Sequence, residues 1–376
     1  MGGQDFHKSV LIFLCSLLIC QVCLAQPWQT FPISAKAEKE INPSVHGNYV
    51  VWQRKNQSEG DYDIWAANIS NPKSAQVFSV SSNDSETLYP KTDSGMAVWQ
   101  EKARGQSDWD VYAADLWFPN NGAFSVASSL GNELYPDISD MNVVYQFREG
   151  FAAYDIVLTD VWNESPLGPL NLTDSPDDTE TTPVISHNLA IWRFGDIAFQ
   201  EAYCDGADFS DPNRLRSFYT SIILGPSTKP VLDGPWLVAR DLDGMIQADN
   251  LFDPFEPLLL TDPDAKQVGY PAIDKHIVVW DEIRDGNRDI YGYNLTTEQA
   301  FRITDHPAAQ SNPVVYGDVE KGYVVVVWQD YRNQKYDIYG AILTGPEVAG
   351  CVPPLPEDLN NDCPVVFGNV TPMADN

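Results

Sequence analysis

A chain of 376 residues is long enough for one large domain or two to three small ones, at roughly 100 to 200 residues per domain. Its 43% hydrophobic and 12% aromatic content excludes a collagen-like, low-complexity or largely disordered protein. Asp and Glu number 53 against 23 Lys and Arg, a net charge of -30; such a chain repels phosphate backbones and anionic membrane surfaces, so no nucleic-acid partner is expected.

Residues 1–25 read as an export signal: Lys8, the apolar run Val10 to Leu14 continuing through Leu17, Leu18 and Ile19, then Cys23-Leu24-Ala25 before Gln26. This predicts cleavage after Ala25 and a periplasmic, extracellular or cell-surface location. The apolar stretch is short for a bilayer span, and no later stretch is apolar enough to be one, so the mature chain is expected to carry no transmembrane segment. Three cysteines leave with the signal, and Cys204, Cys351 and Cys363 remain. Cys351 and Cys363 can pair as a disulfide in an oxidising compartment, leaving Cys204 alone.

Repeats organise residues 26–345. A Pro is followed nine residues later by an aromatic closing an apolar run: Pro43 to Trp52, Pro90 to Trp99, Pro136 to Tyr145, Pro183 to Trp192 and Pro271 to Trp280. Pro313 reaches Trp328 after six extra residues, and Pro230 leads to Trp236-Leu237-Val238-Ala239 without the closing aromatic. The seven prolines are spaced 47, 46, 47, 47, 41 and 42 residues apart. Each copy continues with an Asp opening a β-rich run: Asp63, Asp110, Asp155, Asp196, Asp289 and Asp337, with Met245-Ile246-Gln247 in copy five. A fourth run ends at Val80, Val126, Leu172, Leu260 or Ile303. Short β-branched and aromatic runs between Gly, Asn and Asp turns, with no sustained helical period, predict four antiparallel strands per copy.

Four strands taken seven times predict an all-β fold, a seven-bladed β-propeller in which each blade is stabilised by stacking on its neighbours. The last copy ends near Leu343 without a fourth strand. Thr30 to Ser34, with Ile33 ten residues before Pro43, stands in the register of that missing strand, so the N-terminal strand is expected to close the ring. The pattern of Pro, apolar run, Trp and then Asp-Ile-Tyr after a Gly-Asn turn (Trp280, Arg284, Gly286-Asn287, Asp289-Ile290-Tyr291) resembles the TolB-like propeller repeats of exported and cell-surface bacterial proteins. The resemblance covers about residues 30 to 343 and implies architecture more than activity, because such blades serve as binding platforms, envelope-complex parts and enzyme scaffolds. Because the repeats begin almost at the expected cleavage site, no separate α/β domain of the kind TolB carries is expected before them.

The repeated Trp and Asp read as what each blade needs in order to fold: an aromatic packed between sheets and a carboxylate accepting hydrogen bonds at a hairpin end. With strands lettered a to d outward, the b-to-c loops are expected to contain Arg54, Arg104, Arg148, Arg193, Arg240, Arg284 and Arg332, one per blade, all on the face that carries the d-to-a loops. They are expected either to pair with the blade carboxylates or to form a face for acidic glycans or an acidic protein surface. In blades four and five the b-to-c hairpins are short, at Phe194-Gly195 and Asp243-Gly244. Blade four is expected to insert Tyr203 to Arg216, with Cys204, Asp205, Asp208 and Asp211, between its third and fourth strands; departure from a repeat can mark a site. Hydrolase, zinc-protease, phosphate-loop and dinucleotide signatures are missing. His46, His187 and His276 lie in a-to-b turns and His306 in a d-to-a loop.

Residues 346–376 form a Pro-rich linker and a tail. Asp358 to Asn369 resembles the calcium loop of dockerin-type repeats, which implies oxygen ligands from Asp358, Asn360 and Asp362 and the carbonyl of Pro364. Cys363 stands at the turn glycine's position and Asn369 at that of the bidentate acid, so weak calcium binding is expected. Together these features predict a secreted or cell-surface binding module for a glycan or an envelope or extracellular protein. The alternative is a carboxylate-dependent glycan hydrolase or lyase on the same scaffold.

Overall fold

A computed structural model describes residues 28–344 except 57–59, 82–84, 151, 163–167, 174–178, 195–201, 211–215, 220–223, 225–227, 253–256, 263–264 and 319–321. The export signal, the Asp196-Ile197-Ala198 run, Cys351, Cys363 and the calcium-loop residues Asp358, Asn360, Asp362, Pro364 and Asn369 lie outside the described residues.

Seven four-stranded antiparallel sheets follow one another along the chain. Blade one is typical: strand a Glu40–His46, b Tyr49–Lys55, c Tyr62–Asn68 and d Gln76–Ser79. The other inner strands are Ser85–Asp93, Asn132–Ser139, Glu180–Ser186, Val231–Asp233, Ala272–Asp274 and Gln310–Asp318. Each touches the inner strand of the next blade, and the last touches the first, so the sheets close a ring around a central channel. No described helix is long and apolar enough to cross a membrane.

The b strands explain why the blades stack. Val50, Val51 and Trp52 are all fully buried, as are Val278, Val279 and Trp280. A strand covered on both faces carries a continuous apolar run instead of an alternating one. The core accordingly sits between blades: Val51, Ile64 and Ala66 of blade one pack with Ala97, Trp99 and Ala114 of blade two.

Blade seven takes its outer strand from the other end of the chain. Thr30–Ser34 pairs antiparallel with Asp337–Leu343, Thr30 opposite Ala341, giving the order of three C-terminal strands plus one N-terminal strand. Ile33 is buried against Val327 and Ile338 of blade seven and Val50 of blade one, and Ser34 Oγ donates to Glu40 Oε1 at 2.7 Å. The offset read from the sequence thus places the closing strand correctly.

Blade four corrects the reading of its third strand. That strand is Tyr203–Asp208, paired with Leu189–Phe194 with Leu189 opposite Asp208, and the fourth is Arg216–Tyr219. Residues 203–208 are therefore part of the blade instead of an insertion, and the connection between strands b and c is longer than the hairpin expected at Phe194-Gly195. Cys204 lies fully buried in this strand, in an apolar cluster with Ile191, Ala202 and Leu224.

Candidate functional site: the central channel and its mouth

Two sets of side-chain to backbone bonds, repeated from blade to blade, build the channel wall. The first lies at the residue before each repeat proline. Asn42, Tyr89, Tyr135, Thr182 and Asn312 all have left-handed backbone, with φ between 50° and 55°, a conformation costly for non-glycine residues. The strand register slips at each of these points, a bulge that frees one N–H from the ladder. The preceding blade accepts it. Gln53 Oε1 takes the Tyr89 N–H at 3.1 Å, Gln100 that of Tyr135 at 2.9 Å, and Gln146 that of Thr182 at 3.0 Å. Asp281 Oδ1 takes Asn312 at 2.9 Å, and Gln329 takes Asn42 at 2.8 Å across the seam. Each acceptor is the residue just after the repeat aromatic and is buried.

The second set lies three residues after the proline, at one end of the channel. His46 Nδ1 accepts from Ser94 N–H at 3.0 Å, Asp93 Oδ2 from Asp140 N–H at 2.9 Å, and Ser139 Oγ from His187 N–H at 3.0 Å. Ser186 Oγ accepts from Gly234 N–H at 2.9 Å, Asp233 from Lys275 N–H at 2.8 Å, and Asp274 from Gly317 N–H at 2.5 Å. At the seam Tyr316 instead meets the His46 ring edge-on, centroids 4.7 Å apart. These residues surround a cavity of about 510 Å³ lined by the ends of all seven inner strands.

The mouth is polar and acidic. Because His46 Nδ1 accepts a backbone proton, its Nε2 carries the hydrogen that faces Asp93 Oδ1 at 3.0 Å. Burial pulls the His46 pKa below its ordinary value despite Asp93, so the neutral ring is favoured. His187 Nδ1 meets Asp140 Oδ2 at 2.6 Å, extending a chain of imidazole and carboxylate over blades one to four. On the opposite arc, burial first and the Asp233 carboxylate second raise Asp274 well above the usual carboxylate range. Lys91 meets Asp137 at 3.4 Å on the wall between blades two and three. Sequence reading placed the histidines in their turns but missed the ring, whose signal is the side chain three residues beyond each proline: His46, Asp93, Ser139, Ser186, Asp233, Asp274 and Tyr316.

Away from the mouth, at the level of the residues before the prolines, Lys229 of blade five reaches the rings of blades two and three. Its ammonium lies 4.7 and 4.8 Å from the Tyr89 and Tyr135 ring centroids. Burial, and then Lys91, lower its pKa to about 8.

The seven arginines do not occupy one equivalent position. Arg54, Arg148, Arg193, Arg240 and Arg284 lie in the b strands themselves, and Arg104 and Arg332 in the turns beyond. Arg54 is buried, bonds Glu40 Oε1 at 2.8 Å and stacks on Trp65 at 3.7 Å. Arg284 pairs with Glu282 and covers Tyr291; Arg332 bonds both oxygens of Asp330, at 2.8 and 2.7 Å, and covers Tyr339. Arg148 and Arg240 lie over Tyr154 and Tyr270. The same carboxylates receive the repeat indoles: Trp52 donates to Glu40 at 3.1 Å, Trp280 to Glu282 at 2.9 Å and Trp328 to Asp330 at 3.0 Å. In blades one, six and seven, indole, carboxylate and guanidinium thus form one structural unit. Burial alone would raise Asp330, but the bonds from Arg332 and Trp328 hold it below the usual range.

Asp289 and Asp337 have the hydrogen-bond accepting role read from the sequence for the repeated Asp. Asp289 accepts from Asn287 at 3.1 Å and Arg302 at 2.7 Å, and Asp337 accepts from Asn333 at 2.7 Å.

No protein-family model matches this chain, and no curated protein matches it in sequence. Among solved structures it is similar to a prolyl endopeptidase, with a TM-score of 0.61 and 10% identity over 81% of this chain and 46% of that one. It is also similar to the β-propeller domain of the Trilobed protease from Pyrococcus furiosus, with a TM-score of 0.57 and 10% identity over 86% and 100%. A third similarity is to the acylaminoacyl peptidase of Pyrococcus horikoshii, with a TM-score of 0.55 and 11% identity over 82% and 52%. The chain spans about half the length of the two peptidases and all of the isolated propeller. At these identities the likeness defines the fold, a seven-bladed β-propeller. The isolated Pyrococcus furiosus domain is described as having an open velcro topology, whereas Thr30–Ser34 completes blade seven here.

Proposed function

We propose that this protein is an exported, TolB-like propeller that binds a glycan at the mouth of its central channel. The observation that carries the reading is the ring at the mouth. Carboxylates, hydroxyls and imidazoles are held in place by bonds to the backbone of the next blade around a cavity of about 510 Å³. A concave site with polar groups fixed before the ligand arrives loses little entropy on binding, and alternating donors and acceptors suit a polyhydroxyl ligand. The weak calcium tail and the cell-surface location belong to the same proposal, as does an envelope protein as the carrier of the glycan.

One observation favours the alternative, a carboxylate-dependent glycan hydrolase. Asp274 beside Asp233 pairs a carboxyl of raised pKa with a second carboxylate, the combination a general acid requires. Each of the two gives an oxygen to a backbone N–H, which supports a structural use instead. A glycan array with a parallel reducing-sugar assay separates the readings. Capture without new reducing ends is expected. Release of reducing ends by the wild type that disappears in Asp274→Asn would establish the hydrolase, and absence of capture would overturn both.

A further inference from the structure

The turns between strands c and d lie on the same face as the channel mouth, and six of them share one geometry. In each, an Asn or Asp at the end of strand c accepts the N–H two residues on. The pairs are Asn68 with Ser70 at 2.9 Å, Asp115 with Trp117 at 2.8 Å, Asp160 with Trp162 at 3.0 Å, Asp208 with Ser210 at 2.9 Å, Asn250 with Phe252 at 3.1 Å and Asn294 with Thr296 at 2.9 Å. The residue between is apolar and buried or nearly so, as with Ile69, Leu116 and Val161. Its N–H returns to the a-to-b turn.

The blades therefore act as controls for one another. Blades one, four and six fill the outward position with Ser70, Ser210 and Thr296, so the turn itself requires nothing larger. Blade five places Phe252 there, 58% exposed, and blades two and three place Trp117 and Trp162, 57% and 52% exposed. Burial does not account for two indoles left in water on adjacent blades.

Both indoles are backed on one face and open on the other. Trp117 lies on Gly95, where a Cβ would come within 2.4 Å of Trp117 Cε2. The other five blades have Asn48, Met141, Asn188, Pro235 and His276 at that point, each accepting the equivalent backbone bond, so glycine occurs only where the indole covers it. Trp162 is stacked on Phe124 of blade two, centroids 4.9 Å apart and planes 8° from parallel. Asp115 and Asp160 each stand two residues before an indole, and Gly95 and Met141 directly follow Ser94 and Asp140 of the mouth.

We propose that Trp117 and Trp162 form a stacking platform for pyranose rings, continuous with the channel mouth. A pyranose has an apolar C–H face that suits the electron-rich face of an indole, and a hydroxyl edge that suits neighbouring carboxylate acceptors. Rigid backing removes the entropy cost of ordering the rings on binding. Phe118, 61% exposed beside Trp117, widens the apolar surface, while Asp115 and Asp160 set a carboxylate two residues before each indole, the mixed chemistry that a sugar's two faces require.

This platform rests on the glycan reading, and the test distinguishes their failures. Trp117→Ser and Trp162→Ser install the residue that blades one and four carry at the same position, so both variants should fold with a single cooperative thermal transition, lowered only by the lost contacts to Gly95 and Phe124. On the array ligand retained by the wild type, each change should weaken capture about tenfold, and the double variant about a hundredfold. Ligand-dependent change in tryptophan emission should vanish in the double variant. Wild-type capture with undiminished affinity in the double variant would overturn the platform and leave the glycan reading standing. A wild type that captures no glycan, or that self-associates through these two residues, would overturn the glycan as occupant.

Discussion

Blades five and six differ from the others at the channel wall, and the difference shows what sets the length of an inner strand. Elsewhere the inner strand runs seven to nine residues through a left-handed residue before the proline, and a Gln or Asp of the preceding blade accepts the freed N–H. Blades four and five carry Arg193 and Arg240 where that acceptor should be. In the blades that follow them, Lys229 and Tyr270 are not left-handed, and the strands shrink to Val231–Asp233 and Ala272–Asp274. A guanidinium has donors only and cannot accept the N–H. The bulge and its acceptor therefore occur together or not at all.

The seam gives the comparison its hardest test, since blades seven and one are joined by the Gln329 to Asn42 bond and by the chain running from Thr30–Ser34, the outer strand of blade seven, into Glu40–His46. Deleting residues 30–34 removes Ile33 from the seam cluster and the Ser34 bond to Glu40, and exposes the edge of Asp337–Leu343. Loss of a cooperative thermal transition and concentration-dependent aggregation are expected. A monomer with unchanged melting would show that the amide bond closes the ring unaided.

A smaller effect separates regular from irregular interfaces. Gln100→Ala leaves the Tyr135 N–H without its acceptor in a costly conformation, and should destabilise by about 1–3 kcal/mol in chemical denaturation. Arg240→Ala, at the equivalent position of blade five, removes no acceptor for a bulge. It should cost less than Gln100→Ala; equal losses would mean that the acceptor is not what the position supplies.

The smallest effect concerns Lys229, the residue before the proline of blade five. Its pKa is lowered from 10.5 to about 8 by burial, so the unfolded chain holds a proton that the folded chain has lost between those values. Stability therefore rises with pH across that window, and the penalty is fully present below about 8. Lys229→Met should raise the thermal midpoint at pH 7, and the gap to wild type should narrow from pH 8 toward 10. A gap independent of pH would assign the effect to packing on Tyr89 and Tyr135.

Blade count, strand order and ring closure were legible from residues 30 to 343 alone, because turn and strand chemistry is local and recurs at each proline. The failure in blade four is instructive. Asp196-Ile197-Ala198 carries the Asp-opened pattern, yet the strand is Tyr203–Asp208. The signal that would have found it is Asp208-Phe209-Ser210, the same triplet of Asn or Asp, apolar residue and outward residue that ends strand c in blades one to six. The triplet also locates Trp117 and Trp162 once the blades are aligned.

The sequence by itself determined the repeat, since each four-strand unit is specified by its own turns and apolar runs, and it determined which strand was missing at the end. Tertiary structure decided what each repeated polar residue does. Whether Gln100 caps a neighbour's bulge, whether Arg54 faces solvent or lies buried on Glu40 and Trp65, and whether Asp274 sits beside Asp233 all depend on which side chains converge within and between blades. The bonds between blades along the channel wall join residues 31 to 48 positions apart around a ring, and for the seam 287 apart. No local pattern encodes them, because hydrogen bonding and burial act on distance in space.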